Sequence, residues 1–436
     1  MSIEWVTVLM FGSLFVLLLS GLPTAFATGG LGVLFIWLMW SADAVNVVVQ
    51  RIFGLMNNYL LAAIPLFIFM AAILERSGII KDLYEVAYRW LGGLRGGLAM
   101  ATVIASTLLA AMTGVIGATE VTMGIVALPE MLKRGYDKKL AIGCILAGGT
   151  LGILIPPSIL MIVYALVAQE SVGQLYMGAI LPGLLLAMIY IVYILVRAAL
   201  QPHLAPALPR EDRVSLREKL RLLSRVIVPL LLVATVLGTM FLGIASPTEA
   251  AGMGAFGAIV VALLHKRLTL KTLLSAGQQT LKATAMVMWT IFGATAFVGF
   301  YIAQGGGKFV ENAIAGTGLG PYGILILMML ILLVLGMFLD WVGIILLAVP
   351  VFVPIIKSLG FSPVWYGVLY NVNMQVSFLS PPFGYALYYI KGVAPPEITT
   401  ADIWKAAIPF IALQLTGLTL CILFPEIVMF LPELFY

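Results

Sequence analysis

Apolar runs of two kinds alternate with short charged loops along this chain. One kind is uninterrupted and close to the ~20 residues that a helix needs to cross the hydrocarbon core of a bilayer. Such runs predict spanning helices near 4–22, 24–40, 58–75, 177–199, 224–244, 247–264, 281–303 and 403–424. The other kind is longer and broken. Between Gly96 and Arg134 the apolar sequence is interrupted by Thr113-Gly114-Val115-Ile116-Gly117-Ala118-Thr119-Glu120, with Arg95 before it and Lys133, Arg134, Lys138 and Lys139 after it. Basic residues at both ends of a glycine-bearing turn predict a re-entrant helical hairpin that enters and leaves on the cytoplasmic side. Two complete crossings would have only ~16 residues each, which is short. A second such region, Pro321 to Lys357, turns at Gly336-Met-Phe-Leu-Asp340-Trp341-Val-Gly343.

Two further runs are broken by paired prolines. The run from Leu140 to Val167 holds Gly148-Gly149-Thr150-Leu151-Gly152-Ile153-Leu154-Ile155-Pro156-Pro157-Ser158, and the region 362–391 holds Asn371-Val372-Asn373-Met374-Gln375-Val376-Ser377-Phe378-Leu379-Ser380-Pro381-Pro382-Phe383-Gly384. Consecutive prolines remove two amide donors and clash with carbonyls four residues back, so each helix breaks and leaves bare carbonyls at membrane depth. A packed interior or a watery cavity tolerates that; lipid does not. One Pro-Pro pair alone reads as a packing kink. Two at corresponding places in the two halves point to the midplane site of a secondary transporter.

Charge orders these elements. From Glu75 to Arg95, the residues Arg76, Lys81, Asp82, Glu85 and Arg89 alternate with Ile79, Ile80, Leu83, Val86, Tyr88 and Trp90. That suits an amphipathic helix at the interface, although an ordinary cytoplasmic connector fits the same charges. The basic stretch Arg197 to Arg225 is expected in the cytoplasm and divides the chain into halves of similar size. Counting crossings outward from it returns the chain to the cytoplasm at Arg76–Arg95 and again at His265-Lys266-Arg267, places both termini in the periplasm and leaves the second hairpin opening outward. A unit of span, hairpin, broken span and span thus recurs with opposite orientation, an inverted repeat. The expected organisation is N-terminal scaffold helices over 1–57, a first repeat over 58–200, a basic cytoplasmic linker over 201–223, scaffold helices and a second interfacial arm over 224–280, and a second repeat over 281–436.

Composition narrows the class. The chain has 436 residues, 62% hydrophobic and 10% charged, with a mean hydropathy of +1.12; it cannot cover a soluble surface, and an all-α polytopic membrane protein follows. The net charge of +5 lies in short loops beside apolar runs, so it marks topology rather than a nucleic-acid footprint. Cys144 and Cys421 fall in separate apolar runs and predict no disulfide. Trp5 to Leu22 follows no basic segment and reads as a retained helix rather than a signal peptide. Metalloprotease, nucleophile-elbow and phosphate-loop motifs are absent, and His203 and His265 stand in loops. No enzyme is expected.

Asp340 is the sharpest candidate. A carboxylate within the bilayer costs ~3 kcal/mol on insertion scales and marks an ion path or a pair. It is read as one oxygen ligand of Na⁺, with carbonyls of the Asn373–Ser380 break as others; capping the returning arm of the hairpin is the alternative role. In the first half the corresponding oxygens would come from Thr113, Thr119, Thr150, Ser158 and carbonyls freed between Gly148 and Ile155, although such hydroxyls also bond their own helices. The candidate Na⁺ positions are thus Thr113, Gly114, Thr119, Gly149, Thr150, Ile155, Gly336, Asp340, Asn373, Ser377 and Ser380. Helix N-termini aimed at the midplane favour an anionic substrate, with Gly117, Pro157, Ser158, Trp341, Pro382 and Gly384 as candidate contacts.

Asn57-Asn-Tyr-Leu-Leu-Ala-Ala-Ile-Pro-Leu-Phe-Ile-Phe-Met70, Gly149-Thr-Leu-Gly-Ile-Leu-Ile-Pro-Pro-Ser158, Phe338-Leu-Asp-Trp341 and Ser380-Pro-Pro-Phe-Gly384 together resemble the large membrane subunit of tripartite ATP-independent periplasmic (TRAP) transporters. The resemblance implies an elevator-type Na⁺ symporter of organic anions in the bacterial inner membrane, without other cofactors. It also implies two partners, a small four-helix membrane subunit and a periplasmic substrate-binding protein. The chain departs from the family at the first hairpin tip, where Thr113-Gly114-Val115-Ile116-Gly117 stands in place of a Ser-Gly-Ser-Ser type sequence. A stand-alone divalent-anion/Na⁺ symporter and an ion channel remain competing readings.

Overall fold

The computed structural model describes the whole chain apart from Val115, Arg210, Asp212, Pro382, Phe383 and the side chain of Ile80. Regular structure among the described residues is helical, and seven helices are long and apolar enough to cross a membrane. In chain order the helices are α1 (Ile3–Leu19), α2 (Thr24–Met39), α3 (Asn46–Met56), α4 (Ala63–Arg76), α5 (Ile79–Leu91), α6 (Gly97–Thr113), α7 (Ile116–Lys133), α8 (Lys138–Thr150), α9 (Ile159–Ala168) and α10 (Val172–Leu200). The second half holds α11 (Leu216–Phe241), α12 (Pro247–Leu264), α13 (Leu270–Ala303), α14 (Gly306–Ala315), α15 (Pro321–Gly336), α16 (Trp341–Ser358), α17 (Pro363–Leu379), α18 (Tyr385–Val393), α19 (Thr400–Leu423) and α20 (Glu426–Phe435).

Both hairpins and both broken helices are present. Helices α6 and α7 meet at Gly114, whose φ of +63° suits glycine; α15 and α16 meet at 337–340. Helix α8 passes through a short 3-10 turn, Leu151–Ile153, before α9 restarts beyond Pro156-Pro157, with Ser158 as its cap. Each hairpin packs on its own broken helix and on the far half of the other, α7 against α18 and α16 against α9. The four elements therefore form one interlocked body.

The stretch 270–279 is arranged differently from the expectation. The stretch to Gln279 is not a separate interfacial piece: α13 runs unbroken from Leu270 to Ala303. Its polar end is held beside α4 by Arg76 Nε donating to Gln279 Oε1 at 3.0 Å and Gln279 Nε2 donating to Glu75 Oε2 at 2.9 Å. These bonds let a polar sequence continue a helix that hydropathy alone would end. A short helix, α14, follows the span and precedes the second hairpin, as α5 precedes the first. Helices α3 and α20 were not anticipated, and α11 begins at Leu216 rather than near 224.

Small residues set the seam between α2 and α13. A Cβ on Gly32 would stand 2.6 Å from the backbone of Ala296 and Phe297, so the two helices meet at backbone distance. On the polar side, Arg267 Nη1 holds Asp82 Oδ2 at 2.6 Å, tying α5 to the α12–α13 loop.

Candidate functional site

The two tips and the two breaks converge on a cavity of about 400 Å³. Gly114, Ile116 and Gly117 reach it from the first hairpin, Asp340 and Trp341 from the second, Ile153 and Leu160 from the first broken helix, and Phe378 and Tyr385 from the second. The opposite wall is Pro23 to Phe26 at the start of α2, with Met286, Trp289 and Thr290 of α13. Phe26 stacks on Trp289 with centroids 6.1 Å apart, and Phe378 meets Tyr385 edge-on at 6.0 Å.

The lining is also a set of helix beginnings. Thr24 to Phe26 open α2, Ile116 and Gly117 open α7, Leu160 lies in the first turn of α9, Trp341 opens α16 and Tyr385 opens α18. The first turns of helices carry amide hydrogens without intrahelical acceptors and the positive end of the helix dipole. Among the described residues, no Lys or Arg lines the cavity. One carboxylate does. Asp340 stands at the cap position of α16, yet its side chain makes no capping bond, and Oδ1 is shielded from solvent with no hydrogen-bond partner among the described residues.

Of the residues read from sequence, Gly114, Gly117, Asp340 and Trp341 line the cavity. Thr113 and Thr119 are buried with their hydroxyls 3.3 Å apart, and Thr113 also donates to Leu109 O. Thr150 donates to Ala147 O and accepts from Gln414 Nε2 at 3.0 Å. Ser158 donates to Ile153 O, and its own carbonyl accepts from Tyr176. Gly149 packs against Glu120, the side chain of Ile155 against Gly183 of α10, and Gly336 against Ser377. Ser377 and Ser380 donate to Asn373 O and Val376 O in their own helix. A Cβ on Gly384 would stand 2.5 Å from Phe378 O, and the Pro157 carbonyl faces Gly114. Pro382 lies outside the described residues.

Sequence reasoning missed the α2 and α13 wall, because an unbroken apolar span does not show which face it turns to a cavity. It also missed two amides that bind the breaks, Gln414 at Thr150 and Asn371, whose Nδ2 donates to Ile153 O at 2.7 Å. A buried amide in an apolar span has to find a partner, and that was a usable signal. Asn371→Leu is expected to lower stability by about 0.5–1.5 kcal/mol, the net worth of one hydrogen bond, because Ile153 O keeps the bond from Ser158; thermal unfolding in detergent measures it.

Over residues 11–427 the chain matches the family described as tripartite ATP-independent periplasmic transporter, DctM component. The chain belongs to this family. It is 34% identical over 401 residues to the C4-dicarboxylate TRAP transporter large permease protein DctM of Pseudomonas aeruginosa, covering 91% of each chain. It is 30% identical to the isethionate TRAP transporter permease protein DctMQ of Oleidesulfovibrio alaskensis, over 97% of this chain and 65% of that protein. The YdaH transporter of Alcanivorax borkumensis shares the fold, with a TM-score of 0.62 at 16% identity over 95% of this chain and 99% of the other. As a TRAP large component the chain is a multi-pass transport permease, not an enzyme.

Proposed function

We propose that this TRAP permease drives uptake of an organic anion, a carboxylate, with an inward Na⁺ gradient. The carrying observation is that, among the described residues, five helix beginnings and a single carboxylate, with no Lys or Arg, line one cavity. Amide hydrogens at helix starts favour a small anion, and Asp340 beside that anion demands a cation to offset it. A cation and an anion bound together satisfy both. In this reading the two hairpins and two broken helices move as the transport body against α2 and α13, as in an elevator. The termini lie in the periplasm of the bacterial inner membrane. A small four-helix membrane subunit and a periplasmic binding protein complete the system; the fused DctMQ relative, longer than this chain, supports the first partner.

Uptake by the reconstituted complex across a panel of acids that includes C4-dicarboxylates and isethionate, with and without an inward Na⁺ gradient, tests this. Concentrative uptake only with Na⁺ and both partners is expected. Uptake by the chain alone would favour a stand-alone symporter, and flux that merely follows the substrate gradient, a channel.

A further inference from the structure

A second cavity, of about 460 Å³, opens along the same seam as the first. Three helices wall both. Six positions separate Leu160 from Leu166 in α9, five separate Trp341 from Leu346 in α16 and five separate Thr290 from Thr295 in α13, which is about 7–9 Å at ~1.5 Å per residue. All three helices run from the first cavity toward the second, so the second lies on the side that the reading above turns to the periplasm. Its remaining wall is its own: Arg51 of α3, and Asn58 shortly before α4.

The two cavities divide the charges between them. Among the described residues, the first has a carboxylate and no cation, and the second a cation and no carboxylate. Arg51 is exposed and has no ion-pair or hydrogen-bond partner among the described residues. Helices α3, α9, α13 and α16 contain no Asp or Glu, and Glu170, three positions beyond Val167 of the lining, is held by Lys357 Nζ at 3.1 Å. Gly299 makes room for the guanidinium, because a Cβ there would collide with Arg51 Nη1 and stand 3.0 Å from Cζ. Asn58 Oδ1 accepts from Leu60 N at 3.0 Å, which turns its Nδ2 donors the other way, and they have no partner among the described residues. An arginine keeps its charge in any surroundings and offers a fork of donors that fits a carboxylate. A positive fork and a free amide donor, without an acid between them, make a site for an anion.

We propose that the second cavity is an anion-binding vestibule of the permease, in which Arg51 and Asn58 hold a carboxylate of the substrate before it passes along the seam to the first cavity. Its place on the substrate path rests on the transport reading; its affinity for an anion does not.

Thiol labelling of T295C in the full chain, reconstituted in lipid, tests the anion site without transport. Cys144 and Cys421 are buried, so the wild-type chain supplies the background rate. The preference for sulfonatoethyl methanethiosulfonate, an anion, over the trimethylammonioethyl reagent, a cation, is expected to fall about tenfold when R51Q is added and to persist with R51K. Succinate at constant ionic strength is expected to slow labelling of T295C at least threefold, and not to slow it once R51Q is present. No reaction with either reagent, an unchanged preference in R51Q, or labelling that succinate does not slow overturns the proposal. Equal loss of preference in R51K and R51Q marks a packing role for the side chain and overturns it as well. For the path, the complete complex in vesicles takes up succinate under an inward Na⁺ gradient. R51Q is expected to raise the half-saturating succinate concentration at least tenfold at an unchanged maximal rate. An unchanged half-saturation removes the vestibule from the path. No uptake by the wild type fails the transport reading and leaves the labelling to decide the anion site.

Discussion

Asp340→Asn is expected to abolish Na⁺ activation of uptake, or to raise the half-activating Na⁺ concentration about tenfold or more, which corresponds to ~1.4 kcal/mol of lost binding. The reason is local. Asp340 is the carboxylate of the cavity, and its Oδ1 has no protein partner among the described residues, so an ion is the group that can best offset its charge. The same substitution has an opposite effect on the ion-free protein. Removing a shielded charge relieves a desolvation penalty, offset only in part by the Thr24 hydroxyl and the amides of Val342 and Gly343 that favour the ionised form, so Asp340→Asn should match or exceed the wild type in thermal stability without Na⁺. Added Na⁺ should then raise the midpoint of the wild type alone, because a ligand stabilises only the state that binds it. Equal Na⁺ stabilisation of both proteins would remove Asp340 from the ion site.

Gly114→Ala is expected to cut uptake at least tenfold, by distorting the first hairpin tip where it touches the first break. Two penalties meet at this residue. Its φ of +63° costs a side-chain-bearing residue about 1–2 kcal/mol, and a Cβ there would collide with the Pro157 carbonyl oxygen, a backbone atom that cannot swing aside. Relief requires the tip to withdraw from the break, which opens the wall formed by Gly114 and Gly117. Gly307→Ala, where nothing lies within 4 Å of the added carbon, is the matched control and should transport normally. Wild-type uptake by Gly114→Ala would show that the tip and the break need not touch during transport.

The features that were legible in the sequence are those that violate a rule of the bilayer. Paired prolines and a glycine-bearing polar turn within apolar runs have to be explained by breaks, and the structure has breaks at Gly114, at Pro156-Pro157 and before Asp340. Asp340 stood out for the same reason. Features that obey the rules left no mark. Trp289 and Thr290 sit in an unremarkable apolar span, and only packing against Phe26 shows that this face closes the cavity. Lys271, Gln278 and Gln279 read as a separate interfacial stretch, whereas that sequence continues into α13 and is bonded to Glu75 and Arg76, some 200 positions away. Thr150, Ser377 and Ser380 donate to carbonyls of their own helices, the commoner habit of such side chains in membranes, and a hydroxyl pattern in the sequence does not show where the oxygen lone pairs face.

At ~1.5 Å per residue the 34 residues of α13 make a rod about 50 Å long, longer than the ~40–45 Å of a bilayer with its headgroups. A stiff rod of fixed length answers a thinner or thicker membrane by changing its tilt. Met286, Trp289 and Thr290 ride on that rod, so any change in its tilt carries one wall of the binding chamber with it.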